Sequence, residues 1–157
     1  DLGQNNIIKG GLIELAGQTA AGRNLAHPAS GQGYGIQFDT YALTITNAVV
    51  QANSYPGIAD NGAATARFTT IANNQITNNG HALANNYSGI TLSGSNEVAL
   101  VTGNQSPDYT YQRYGIDVNV GGNVSLGMNN FGGATAGCHV ISGAYKGSGN
   151  FGANCPP

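Results

Sequence analysis

Short alternations of apolar and polar residues run through this chain, and helical stripes do not. In "GIQFD" Ile36 and Phe38 alternate with Gln37 and Asp39, and "GITLS" and "GIDVNV" repeat the pattern further on. Period two with one apolar face predicts half-buried strands. Gly, Asn and β-branched residues interrupt every window long enough for a good helix. The pattern predicts an all-β fold.

The strands recur. A tyrosine followed within one or two residues by Gly-Ile occurs at Tyr34, Tyr55, Tyr87 and Tyr114, which places Ile36, Ile58, Ile90 and Ile116 at separations of 22, 32 and 26. A second apolar anchor follows each, at Ile45, Ile71, Val101 and Leu126, after 9, 13, 11 and 10 residues. A period of ~20–50 residues indicates a stacked solenoid in which each repeat is one coil. Three residues past the second anchor stands Asn74, Asn104 or Asn129, with Ala48 as the exception. Asn tolerates left-handed backbone. In coils stacked at ~4.8 Å it can pass hydrogen bonds from level to level as a ladder.

"LGQNNI" (2–7) matches "LGMNNF" (126–131) position for position, which puts Asn5 in the place of Asn129 and starts the chain in mid-coil. An uncovered coil end exposes unpaired strand edges. The expectation is therefore a piece of a longer solenoid, or a first coil covered by a neighbouring chain. Leu2 to Ile45 spans 43 residues, which fits one coil with an insertion in 16–34 or two ordinary coils. Residues 1–132 read as β-helix coils. Residues 133–157 keep one alternating strand, "HVIS", and then read as an irregular cap or tail.

Composition narrows the function. Only 8% of residues are charged while there are 25 Gly and 20 Asn, so the surface is built from neutral polar groups. Five scattered basic residues and a net charge of −2 form no phosphate-neutralising patch, which argues against nucleic acid. No apolar run approaches the ~18 residues that suggest a membrane-spanning helix. Cys138 and Cys155 form either a disulfide, which suits an oxidising compartment, or two unpaired thiols.

These features together, "NNQITNNG" turns and "GI-x-L/V" strands in coils of about 22 residues or more, resemble the right-handed parallel β-helix of the pectate-lyase-like superfamily. Within it the chain is most similar to the β-helix regions of polysaccharide-processing proteins, tailspikes included. The resemblance implies a parallel β-helix of about four to six coils in an extracellular, cell-surface or virion-associated protein. It also implies a polysaccharide or oligosaccharide bound in a groove along the axis. The chain would bind or degrade that glycan, or else serve as a non-catalytic module of a fibre, spike or surface protein. If it is an enzyme, it is a polysaccharide lyase or glycoside hydrolase. No cofactor or metal is expected, since no His/Cys/Asp cluster has ligand spacing. Partners are the glycan and either a second copy or adjoining coils. The paired-aspartate and Gly-His-Gly motifs of polygalacturonases and the clustered calcium-binding acids of pectate lyases are absent.

Candidate site residues follow from the loops before each Gly-Ile strand, 16–34, 80–88 and 104–114, which emerge side by side from one corner. The third carries Asp108, Tyr109, Tyr111 and Arg113, types that suit sugar rings and hydroxyls. His81 and Tyr87 come from the second. The four repeated tyrosines stack as a structural edge or offer a platform to sugars. For hydrolysis two carboxylates must face each other. If "LIEL" stacks below "GIQF", Glu14 neighbours Gln37 and comes within ~8 Å of Asp39.

Overall fold

The computed structural model describes residues 6–14, 16, 33–38, 42–60, 67–82, 86–93, 97–106, 110–132 and 136–155. They form an all-β parallel β-helix. Its first coil runs through β1 (Asn6–Lys9), β2 (Leu12–Glu14) and β3 (Ile36–Phe38). The second comprises β4 (Ala42–Thr46), β5 (Val49–Gln51) and β6 (Ile58–Asp60), and the third β7 (Arg67–Ala72), β8 (Gln75–Thr77) and β9 (Ile90–Leu92). Above them lie β10 (Glu97–Thr102), β11 (Ile116–Gly127) and β12 (Cys138–Ser148).

Each strand pairs in parallel with its counterpart one coil away, giving three faces. The first face stacks β3, β6, β9 and the starts of β11 and β12. The second stacks β1, β4, β7, β10 and the ends of β11 and β12. The third holds β2, β5 and β8, and single bridges through Gln105, Asn130 and Phe151 continue it. A coil with a strand on every face therefore occurs three times among the described residues, fewer than the four to six expected. Higher up, the third face thins to those bridges.

Register places like residues inside like residues. Ile36, Ile58, Ile90, Ile116 and Cys138 form one interior column, and Ile8, Ile45, Ile71, Val101 and Leu126 another. From Ile45 to Leu126 the second column is at most 1% exposed. Burying each such side chain contributes about 1.5–3 kcal/mol, which is why one apolar anchor per face is enough to define a coil. Ile8, not Leu2, is thus the counterpart of Leu126, which corrects the alignment of "LGQNNI" with "LGMNNF". Leu2 and Asn5 lie outside the described residues. Glu14 sits in register with Gln51 although 37 residues separate them, so the first coil is a single one with an insertion.

The C-terminal stretch keeps the stack beyond "HVIS". β12 pairs with β11 as far as Gly127 and Ser148, and Phe151 bridges to Asn130. Two features hide this coil in the sequence: Gly147 stands where Leu126 stood below, and the β11–β12 register shifts near Asn119. A Cys138–Cys155 disulfide with Cα atoms 4.7 Å apart ties the end of the chain to the interior column.

Two corners hold the coils together. At the first, the Nδ2 of Asn74, Asn104 and Asn129 donates to the Oδ1 of Asn104, Asn129 and Asn150 at 3.0, 3.0 and 2.9 Å. Each Nδ2 also donates downward, to the carbonyls of Ile45, Ile71 and Val101. The Oδ1 atoms of Asn104, Asn129 and Asn150 each accept a second bond from the backbone N–H of the ladder residue below, and Asn74 Oδ1 accepts from Ala48 N–H. All four bonds of the Asn104 and Asn129 amides are made inside a buried corner. At the second corner Asn53, Asn79 and Gln112 form a shorter ladder, through Nδ2 donors at 2.8 and 3.0 Å.

The backbone aims these amides. The residue before each first-corner position has left-handed φ: Gly10, Asn47, Asn73, Gly103, Met128 and Gly149, at 72°, 56°, 57°, 64°, 52° and 63°. Ala52 and Asn78 do the same before Asn53 and Asn79, at 55° and 59°. Gly115, in the recurring Gly-Ile pair, answers a different need. A Cβ there would lie 2.5 Å from the buried Phe131 ring, so the corner admits no side chain.

Asn104→Ala removes four bonds from a fully buried position and should lower unfolding free energy by about 3–5 kcal/mol in urea titrations. Met128 has a left-handed φ and is 72% exposed, so its side chain adds strain with little burial. Replacing it by Asn should raise stability by roughly 0.5–1 kcal/mol in the same assay.

Candidate functional site

On the outer side of the first face one residue per coil points away from the core. Register stacks Gln37, Ala59, Thr91, Asp117 and His139 in this position. Beside the column runs a wall of tyrosines. The rings of Tyr34 and Tyr55 lie 5.1 Å apart edge to face, and those of Tyr55 and Tyr87 5.0 Å apart and tilted by 48°. Column and wall enclose an open concavity of about 400 Å3, whose lining includes Tyr34, Gln37, Asn86, Tyr87, Thr91 and Asp117.

The tyrosine series breaks at the fourth coil. Gln112 takes the level above Tyr87 and completes the second ladder with its amide. Tyr114 stacks instead on His139, with centroids 4.6 Å apart and planes within 10°. His139 Nδ1 lies 3.0 Å from Asp117 Oδ1, and the Arg113 guanidinium sits 4.9 Å from the centre of the Tyr114 ring. Asp117, which lines the concavity, is thus joined to an imidazole, a phenol and a guanidinium that lie beyond the lining. At 39% and 28% side-chain exposure the His139–Asp117 pair is partly screened by water, so it orients the two groups more than it stabilises the fold.

The sequence-derived candidates are dispersed. Tyr87 lines the concavity. Tyr111 and His81 stack on each other with centroids 3.9 Å apart and planes within 18°, so each covers a face of the other. Arg113 is exposed over Tyr114. Asp39, Asp108 and Tyr109 lie outside the described residues. Glu14 does not stack below "GIQF". β2 pairs with β5 on the third face, where Glu14 Oε2 accepts a 2.8 Å bond from Gln51 Nε2, and Gln37 has Ala59 as its partner on the first face. The arrangement that would bring Glu14 towards Asp39 is therefore absent.

Gln37, Asn86, Thr91 and the Asp117–His139 pair were not among the candidates. Aligning "GCHV" (137–140) with "GIDV" (115–118) would have found the pair, because it places His139 directly above Asp117. Cysteine at the isoleucine position concealed that match. Compared with known proteins, the chain matches no family model, no curated relative and no solved structure.

Burial raises the pKa of the Tyr34 phenol above its usual value, and the neighbouring Tyr55 and Tyr87 add to this. A group whose folded-state pKa is raised contributes stability that is present below its unfolded pKa, near ~10, and is lost as pH rises through the folded value. Absorbance titration should show the Tyr34 phenol ionising above the usual tyrosine range, a late step that Tyr34→Phe removes. Tyr34→Phe should reduce the loss of stability above about pH 10.

Proposed function

We propose that this solenoid binds an extended polysaccharide along the first face, with the tyrosine wall on one side of the chain and the Gln37-to-Asp117 column beneath it. The observation that carries this reading is the concavity itself. Its lining offers phenol, amide and hydroxyl groups with two carboxylates, the buried Asp60 and the more open Asp117, which is the donor and acceptor mixture that sugar hydroxyls satisfy. It runs across successive coils, so its length suits a polymer better than a small compact ligand.

The tyrosines brace one another edge to face or tilted, and offer hydroxyls and ring surface to the bound chain. Recognition would rest on hydrogen bonds with Gln37, Asn86 and Thr91 and on sugar hydroxyls donating to the Asp117 carboxylate, with Tyr111 and Arg113 at the flank. The disulfide favours an extracellular, cell-surface or virion-associated setting. The kinship with pectate-lyase-like and tailspike β-helices is part of this proposal and rests on the repeat pattern. Whether the bound chain is also cleaved, by β-elimination or hydrolysis, is a separate question for product analysis.

A second reading has its own support. Two continuous amide ladders and a self-stacked tyrosine edge are features of a rigid rod. A non-catalytic module of a fibre or spike would need nothing more.

Isothermal titration against oligosaccharide panels, with reducing-end and unsaturated-product assays, separates these readings. On the binding reading Gln37→Ala and Arg113→Ala each weaken the best oligosaccharide by about tenfold, ~1.4 kcal/mol, while the melting temperature hardly moves. Tyr111→Ala should lower the melting temperature as well, since it strips His81 of its stacking partner. Absence of binding to every glycan in the panel would leave the rigid-rod reading standing.

A further inference from the structure

The groove on the first face carries charge of one sign. Its lining includes two carboxylates, Asp60 and Asp117, and among the described residues no lysine, arginine or histidine contributes to it. Register spreads the two acids along the axis. Asp117 pairs with Thr91 and Thr91 with Ala59, so Asp117 stands two coils, or ~9.6 Å, above the residue that precedes Asp60. An extended ligand that follows the axis therefore passes both. The basic groups lie elsewhere. Lys9, Arg67 and Lys146 belong to β1, β7 and β12 on the second face, and the Arg113 guanidinium sits over the Tyr114 ring beyond the lining. His139 turns its Nδ1 to Asp117, and His81 stacks on Tyr111.

We infer that the groove selects an uncharged polysaccharide and rejects one that carries uronate groups. The inference deepens the glycan-binding reading above and rests on it. Two physical effects act together. A uronate carboxylate drawn into the concavity gives up water, and no cation of the lining takes the place of that water, so its burial goes uncompensated. The open Asp117 carboxylate adds like-charge repulsion, which is screened less between concave walls than on a flat surface. Neutral sugar hydroxyls meet neither penalty. They donate to the carboxylates and exchange hydrogen bonds with Gln37, Asn86 and Thr91. Selectivity of this kind comes from an element that repels the wrong ligand as much as from contacts to the right one.

Isothermal titration of the whole chain tests the inference with two sets of oligosaccharides of equal length. One set is built of neutral hexoses and pentoses and the other of galacturonate or mannuronate, in low salt, with EDTA and again with calcium. The best neutral oligomer should bind at least about tenfold more tightly than any uronate oligomer. Raising the salt from about 0.02 M to about 0.5 M should narrow this gap by strengthening uronate binding, because the repulsion is screened. Asp117→Asn keeps an oxygen within reach of His139 Nδ1 and should narrow the gap severalfold. Gln37→Glu, at an exposed strand position, should widen it. Uronate oligomers that bind as tightly as the neutral ones, with or without calcium, overturn the inference and leave the glycan-binding reading intact. So does a gap that neither variant moves. If no oligomer of either set binds, the glycan-binding reading itself fails and the selectivity with it.

Discussion

The corner amide, aimed by a left-handed residue before it, is the interaction on which the other features depend. A parallel solenoid must turn sharply between faces, and at each turn backbone N–H and carbonyl groups leave the strand ladder inside the molecule. Left unpaired, each would cost about 1–3 kcal/mol. Asn104 meets this demand at one position: its Oδ1 accepts from two donors of the coil below and its Nδ2 donates both up and down. The left-handed residue at Gly103 turns the chain so that the amide points along the stack. Because the ladder uses neutral groups, it incurs no desolvation of charge, which agrees with a chain that is only 8% charged.

Regular corners release the rest of the coil from regularity. Successive first-corner positions are 26, 30, 25 and 21 residues apart, yet the strands remain in register. The differences in length are taken up by loops between the faces, at little entropic cost because loop closure scales only with the logarithm of length. Residues such as Asn86 and Arg113 are carried by those loops, while Gln37, Thr91 and Asp117 stand on the strands. The candidate site therefore joins a rigid floor to a variable rim.

This division also explains what could be read from the sequence. The alternation in "GIQFD" and the Asn74, Asn104 and Asn129 series follow from local periodicity, and both the β-helix and its first ladder were legible in them. Asn150 and His139 were not, because Gly147 and Cys138 occupy positions that elsewhere hold Leu126 and Ile116, and the period seemed to stop. The second ladder escaped notice because Gln112 replaces Asn and lies 33 residues beyond Asn79. The pairing of Glu14 depended on the length of an insertion, which periodicity cannot supply. Aligning "LGQNNI" with "LGMNNF" misled for a related reason: Asn-rich, Gly-rich segments match one another by composition, and only Ile8 against Ile45 fixes the register.

The tyrosines show how one residue type can be divided between fold and ligand. Tyr34 stands two residues before its isoleucine and Tyr55 and Tyr87 three, yet the three rings meet in one series, with centroids 5.1 and 5.0 Å apart, close to the ~4.8 Å rise per coil. The rings contact one another edge to face or tilted, and burial together with the neighbouring phenols raises the pKa of Tyr34, so the wall is structural first. Tyr114 is released from the column because Gln112 completes the ladder at that level. It turns to His139, which Asp117 orients from the coil below. The one departure from the tyrosine repeat is thus where ionisable groups gather on the surface, and it arises because the amide ladder has priority over the aromatic one.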